Sequence, residues 1–480
     1  MGTAPDGPGA DGRAGGAAPR PPRRRPKPPG PASAELAGLC AATAAEPGLR
    51  GTPAAEELRR FAALCGQPLR VAVVGDVSAG KSTLVNALLA TRMALVQLAE
   101  ATAQVTWYHH PLVGPTVAAT DAAVAVPYPL FPLSDRIVLG DTPGMNTASD
   151  RQLVTEDMLR GARAASASAT AVLYLCGTNL SEAAARTCTE FALSTAGPLT
   201  EGLNVVLVAS KADGVDGGAD TWNAVEENLL RQARLPGAAS VAVAQQLAET
   251  ARCGMLTRDH LGTLRAIAAD EELTAVAGHG WDALGRAWAA RGHPADALPP
   301  LKEVAATTYA IARSLPPLRA GEVADSDGLA RLWEDLSGLR RLEERLSLLA
   351  RHADVLTVDS VTARLLRATA SWDTGPARLV RERLAALRTR PACAGLERSA
   401  ADLALDGLTL RHVPPGDRAL AARALRALPM KDRELLATAR TWAAHARRPR
   451  RLLARRVAEI VVECCLTRLD SRNRDQGRDG

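Results

Sequence analysis

The stretch Arg70-Val-Ala-Val-Val-Gly75-Asp-Val-Ser-Ala-Gly80-Lys81-Ser82-Thr-Leu-Val-Asn-Ala-Leu-Leu89 decides how the chain is read. The apolar run Val71 to Val74 predicts a buried strand, and the pattern from Lys81 onward predicts an amphipathic helix. Between them lies the spacing Gly-x4-Gly-Lys-Ser. Gly75 and Gly80 let the backbone curl so that successive N–H groups point inward, and the helix N-terminus adds partial positive charge. That concavity suits a phosphate chain. Lys81 brings a full charge to the terminal phosphates, and the Ser82 hydroxyl is placed to ligate Mg²⁺. The predicted cradle is Gly75, Asp76, Val77, Ser78, Ala79, Gly80, Lys81, Ser82 and Thr83.

Composition sharpens this reading. The chain has 58 lysines plus arginines, yet lysine occurs only at 27, 81, 211, 302 and 431. Where any positive charge serves, this sequence uses arginine. Lysine at 81 and 211 therefore points to places that need a compact ammonium on a flexible stem.

Three further strings follow in order, each tied to a strand pattern. Glu100-Ala-Thr102-Ala-Gln-Val-Thr106 runs from a loop into a β-rich segment. A threonine there can offer its hydroxyl to Mg²⁺ and its backbone to the γ-phosphate; Thr102 is the candidate, and Thr106 lies deeper in the strand pattern. After a strand over 116–126 comes Arg136-Ile-Val-Leu-Gly140-Asp141-Thr142-Pro143-Gly144. Its aspartate can reach the Mg²⁺ shell, and the Gly144 N–H can face the γ-phosphate. Last, the strands 171–176 and 204–210 lead to Ser210-Lys211-Ala212-Asp213. An aspartate accepts hydrogen bonds from guanine N1 and N2, a donor pair adenine lacks, while the lysine stem covers the base. Guanine is thus the expected base, although Ser210 stands where Asn or Thr is usual. A final strand from Ser240 brings a base-contacting loop at Gln245 or Gln246.

These strings predict an α/β P-loop GTPase domain, doubly wound on a mostly parallel sheet, with ligands at the carboxyl ends of its strands. GTP and GDP with Mg²⁺ are the expected ligands. Met145 and Asn146 stand after Gly144, so the common water-positioning glutamine is missing and hydrolysis needs other help.

The remainder sets the frame. Residues 1–33 carry six basic against two acidic side chains and read as a disordered Pro/Arg-rich tail; the rest is close to neutral, which argues against a broad nucleic-acid binder. Short helices are expected at 34–45, with Ser33 as N-cap, and at 54–66, within a segment 34–67. The GTPase domain spans 68–265. An elongated helical bundle, a neck and trunk, is expected over 266–467, followed by a flexible 468–480. Leu332, Leu336, Leu339, Leu342, Leu346, Leu349 and Leu356 fall on one helix face. No apolar run is long enough to span a bilayer and no signal core opens the chain, so a cytoplasmic protein is expected, with any membrane contact peripheral at the inner face of the cell membrane. The basic run Arg447 to Arg456 reads first as a solvated face and second as a dock for an anionic membrane or a partner.

At this point the chain resembles the bacterial dynamin-like GTPases. The likeness rests on Gly75-x-x-Ser-Ala-Gly-Lys-Ser-Thr83, Ala-Thr102-Ala-x-Val-Thr, Asp-Thr-Pro-Gly144, and helices on both sides of the GTPase domain. Gln245-Gln-Leu-Ala-Glu-Thr-Ala-x-x-Gly-x-Leu256 is most similar to the isoniazid-induced group of actinobacteria. The resemblance implies GTPase domains that dimerise across the nucleotide and hydrolysis coupled to membrane remodelling, with self, an anionic membrane surface or a paralogous dynamin-like protein as partners. It also implies a catalytic set of Ser78, Lys81, Thr102 and Gly144, with a monovalent cation, K⁺ or Na⁺, in place of an arginine finger. The alternative is a switch-type GTPase that docks a protein partner without membrane activity. RNA ranks last as a partner, because stacking aromatics are scarce.

Overall fold

The computed structural model describes residues 30–75, 78–94, 105–110, 122–126, 136–142, 169–215, 219–405, 410, 412–447 and 452–476. Seven strands among them form one sheet: β1 Leu69–Gly75, β2 Thr106–His109, β3 Ala122–Ala125, β4 Ile137–Asp141, β5 Ala171–Cys176, β6 Val205–Ser210 and β7 Ala239–Val243. Their order is β3-β2-β4-β1-β5-β6-β7, and every pairing is parallel except β2 with β4. The central strands read as unbroken apolar runs because both faces of the sheet are covered.

Alternate residues of each strand feed two cores. Val71, Val73, Leu139, Leu173 and Val206 point to one face, against helix Lys81–Leu89 and helices drawn from both ends of the chain. Those include Pro31–Ala44, Pro53–Cys65, Leu339–Arg351, Ala353–Ala368 and the long Leu452–Gln476. On the other face, Ala72, Val74, Val138, Val172 and Leu207 meet Glu182–Thr195, Ala219–Ala233 and the helices from Arg258 to Leu336. The expected mostly parallel sheet with a large helical complement is what the chain builds. Among the described residues, no helix is long and apolar enough to cross a membrane.

Two expectations change at the helix ends. Ser33 is not the N-cap: the first helix begins at Pro31, and Gly30, at the cap position, offers no side chain. The exposed N–H groups are instead taken by Asp354, whose carboxylate accepts from Ala32 N at 3.2 Å, Ser33 N at 2.8 Å and Ser33 Oγ at 2.6 Å. A cap that a sequence usually supplies locally comes here from the far half of the chain. The leucine series 332–356 is likewise divided among three helices, Ser326–Leu336, Leu339–Arg351 and Ala353–Ala368. Gly338, at φ +76°, makes the first break, and a Cβ there would lie 2.4 Å from the Ala242 carbonyl oxygen. Ser337 O accepts from Ala244 N at 2.8 Å, so the break docks on the end of β7.

Helix Ala353–Ala368 is fastened to the sheet side by polar contacts. Asp359 Oδ2 accepts from Gly197 N at 3.0 Å, Thr200 N at 2.8 Å and Thr200 Oγ1 at 2.7 Å. Arg364 donates to Ala169 O at 2.5 Å, and Arg367 to Leu193 O at 3.1 Å and to Ser194 O. Burial raises the Asp359 pKa above the usual carboxylate range, and the hydrogen bonds oppose it incompletely. Between the ordinary carboxylate pKa and that raised value the folded state holds more protons than the unfolded one, so Asp359 contributes less stability as pH rises through the interval. Asp359→Asn keeps an acceptor without the charge and is expected to hold or raise the melting midpoint at neutral pH. Asp359→Ala strands three donors and should cost about 1–3 kcal/mol. Thermal unfolding of both variants from pH 4 to 8 checks this; an Asn variant as unstable as the Ala variant contradicts it.

Candidate nucleotide-binding site

The expected site residues that the structure describes gather at the carboxyl ends of β1, β4 and β6. Helix Lys81–Leu89 starts from Gly80, which adopts φ +82° and provides no side-chain cap. Its first N–H groups therefore remain available to an anion. Ser78 is exposed and also left-handed, at φ +59°, a costly conformation for a residue with a side chain and one that clusters at functional loops. Lys81, only 8% exposed, turns back to donate to Gly75 O at 2.9 Å, so its ammonium lies across the loop that should hold phosphates.

Behind Lys81 stands Asp141 at the end of β4. Its Oδ2 accepts from Ser82 Oγ at 3.3 Å, and its Oδ1 is buried with no hydrogen-bond partner among the described residues. Burial pushes the Asp141 pKa up to about 6, against the opposing pull of Ser82 and Lys81. A buried carboxylate oxygen without a donor is a costly arrangement, and a divalent cation would relieve it. The donor set of one hydroxyl and one carboxylate suits Mg²⁺, which completes its shell with phosphate oxygens and water. Among the described residues no cluster of three His, Cys, Asp or Glu could hold a metal alone. Next to it, Thr142 donates its hydroxyl to Val73 O at 2.7 Å and holds β4 to β1.

The segment after β6, where a base reader is expected, is tied both to the sheet and to a distant pair of helices. Ser210 Oγ donates to Cys176 O at 2.8 Å, an anchor to β5 within the sheet. Lys211 is exposed and left-handed, at φ +55°, and its backbone leads into the short 3-10 turn Ala212–Gly214 that carries Asp213. Asp213 Oδ2 accepts from Thr307 Oγ1 at 2.9 Å, and the same hydroxyl lies 3.2 Å from Asp213 O. Burial raises the Asp213 pKa, while Thr307, its own backbone and Lys211 pull it down. Thr307 sits between helices Leu298–Ala305 and Tyr309–Arg319, and nothing in its sequence surroundings links it to a base-reading loop.

Gln245, not Gln246, faces the loops after β1 and β6. Gln245 is 4% exposed and bonds to Lys211 N and Ala79 O, whereas Gln246 donates to Glu303 O at 2.9 Å. Arg92, half exposed, lies 3.7 Å from Glu249. Asp76, Val77, Thr102 and Gly144 lie outside the described residues. Thr83 is half-buried in the first turn of the phosphate-side helix.

Parts of the chain are similar to known proteins. Residues 70–209 match a family model described as 50S ribosome-binding GTPase. A 78-residue segment is 44% identical to the isoniazid-induced protein IniC of Mycobacterium tuberculosis, in both strains CDC 1551 / Oshkosh and H37Rv. That segment is 15% of this chain, and the chain spans about 15% of the length of those curated relatives. Among solved structures, one of an oligomerised bacterial dynamin pair described as sensing and tethering membranes aligns over 93% of this chain and 91% of its own, at TM-score 0.30 and 11% identity. LeoA, a bacterial dynamin GTPase from ETEC, aligns over 92% of this chain and 87% of its own, at TM-score 0.25 and 13% identity. Neither score reaches one half, so the sheet and the site carry the reading.

Replacing Lys81 with Ala removes the charge from the cradle and should lower GTP affinity by roughly two orders of magnitude or more. Titration calorimetry on folded protein checks this, and undiminished heat would remove Lys81 from the site. Residues 70–209 resemble the GTPase family whose model they match, and the chain resembles the bacterial dynamin-like GTPases, the isoniazid-induced proteins among them.

Proposed function

We propose that the chain binds GTP with Mg²⁺, hydrolyses it to GDP and phosphate, and couples the cycle to self-association and to association with, or remodelling of, a membrane. One observation carries the nucleotide part: the buried oxygen of Asp141 that has no partner among the described residues, beside Ser82 and Lys81 at the start of a helix whose N-cap is Gly80. When bound, Mg²⁺ neutralises charge on the phosphates. Ser82 and Asp141 hold it, Lys81 draws the terminal phosphates, and Asp213 reads the guanine edge. Thr102 and Gly144 serve as the parts that sense the γ-phosphate, and Ser78, exposed on the loop, is the candidate that acts with K⁺ or Na⁺ in place of a glutamine.

The membrane part rests on the start of helix Leu452–Gln476. Leu452 is 86% exposed and lies in the most basic run of the chain, near exposed Arg447, Arg455 and Arg456. An exposed apolar residue flanked in sequence by arginines suits the boundary of an anionic bilayer. Part of that charge is internally matched, since Arg455 pairs with Glu459 at 2.9 Å and Arg456 with Glu397 at 2.6 Å.

Turnover per molecule should rise with protein concentration and with anionic liposomes, and should be faster in one of K⁺ and Na⁺ than in the other. Thr102→Ala should keep GTP binding and lose turnover; hydrolysis equal to wild type would show that another threonine does this work. Asp141→Asn should make GTP affinity nearly independent of Mg²⁺, as read by calorimetry with and without EDTA. A rate that ignores concentration and liposomes, with GTP-gated capture of a protein partner, would favour the switch-type alternative.

A further inference from the structure

Gln245 joins the two halves of the nucleotide site. Its Oε1 accepts from Lys211 N at 2.7 Å, on the base-reading loop, and its Nε2 donates to Ala79 O at 2.9 Å, on the phosphate loop. The side-chain amide supplies a donor and an acceptor at the ends of one rigid group. The fit is close: a Cβ on Gly80 would lie 2.4 Å from Gln245 Nε2, so the phosphate loop has room for the amide because residue 80 is glycine. On its other side, Gln245 holds Lys211 in the left-handed conformation from which the turn carrying Asp213 begins.

A nucleoside triphosphate is gripped at both ends by groups on separate loops. Binding at the second end is favoured only when the loops already stand at the span of the ligand. Ser210 cannot set that span, because its hydroxyl is committed to Cys176 O, at 2.8 Å, inside the sheet. We propose that Gln245 is a positioning residue that fixes the distance between the phosphate cradle and Asp213, and so lets recognition of guanine add to the hold on the phosphates. This rests on the reading of the site as one for GTP. A ligand whose base makes no use of Asp213 gains little from the bridge, so the effect of Gln245 lies in discrimination between purines and not in phosphate affinity alone.

The test compares GTP and ATP binding to wild type, Gln245→Ala and Gln245→Glu, by competition against a fluorescent GTP analogue, with melting midpoints measured alongside. Gln245→Ala removes both bonds; Gln245→Glu keeps the acceptor for Lys211 N and sets a carboxylate against Ala79 O. Both variants should bind GTP at least about tenfold more weakly while ATP binding changes by less than about twofold, and KM for GTP should rise more than kcat falls. A variant that binds GTP within about twofold of wild type, or one that loses GTP and ATP affinity in equal measure, overturns the proposal. Wild type that binds no GTP would remove the nucleotide reading along with this one, whereas wild type that binds while the variants match it removes only the role given to Gln245.

Discussion

The constraint from which the architecture follows is that a mostly parallel sheet must be covered on both faces. Val71, Val73 and Leu173 look one way and Ala72, Val74 and Val172 the other, all fully or nearly fully buried. Parallel strands cannot be joined by tight turns, so the chain has to cross over with helices, and every crossover delivers loops to the same end of the sheet. The phosphate loop, Asp141 and Asp213 meet there because they follow β1, β4 and β6. Covering the first face takes helices from both ends of the chain, which is why Asp354 caps a helix more than three hundred residues away.

The buried and half-buried carboxylates differ in how their charge is compensated. Asp359 and Asp354 each have several donors from neighbouring backbone or hydroxyl groups, and each joins two distant parts of the chain. Asp402 is flanked by Arg426 at 2.7 Å and His352 at 2.9 Å, and its pKa is lowered against the effect of burial by those two partners. Asp141 differs. Its compensation is a single hydroxyl and a nearby ammonium, and, as in Asp402, one of its oxygens has no donor among the described residues. This loosely compensated carboxylate stands where the sequence leads one to expect a metal ligand.

Sequence alone was informative where chemistry and local geometry are bound to adjacent residues. Gly-x4-Gly-Lys-Ser could be read because loop, charge and helix start lie within one short string, and the same holds for the strand that ends in Asp141 and for Ser210 to Asp213. The strands themselves were visible because double burial writes them as continuous Val, Leu and Ala. What stayed hidden depends on contacts between distant residues. Thr307 has no motif around it; its role exists only because two helices deliver it to Asp213. The choice between Gln245 and Gln246 turns on helix phase, since adjacent residues point about 100° apart and only one faces the loops. Gly338 read as part of a helical leucine pattern, because nothing nearby in sequence reports the Ala242 carbonyl that forbids a side chain there. Ser33 read as a cap because serine is a common one, while the actual donor of oxygen is encoded in another half of the chain.

Helix Gln245–Arg252 shows how such distant contacts accumulate on one element. Beyond Gln245, Glu249 accepts from Asn86 Nδ2 on the phosphate-side helix at 2.8 Å, and Thr250 donates to Val304 O at 2.8 Å. Arg252 reaches Glu334 at 2.7 Å and Glu343 at 2.8 Å, on the two helices that flank the Gly338 break. Eight residues thus touch the phosphate loop, the base-reading loop and three helices of the surrounding shell. Leu247 and Ala248 are fully buried beneath them, so the helix has no free volume in which to absorb a displacement. A shift of Ala79 or Lys211 on binding a ligand must then either be resisted by this helix, which holds the site at its span, or be passed to Glu334 and Glu343 as a rigid movement. Either outcome would make the segment after β7 the link between the loops after β1 and β6 and the helical shell.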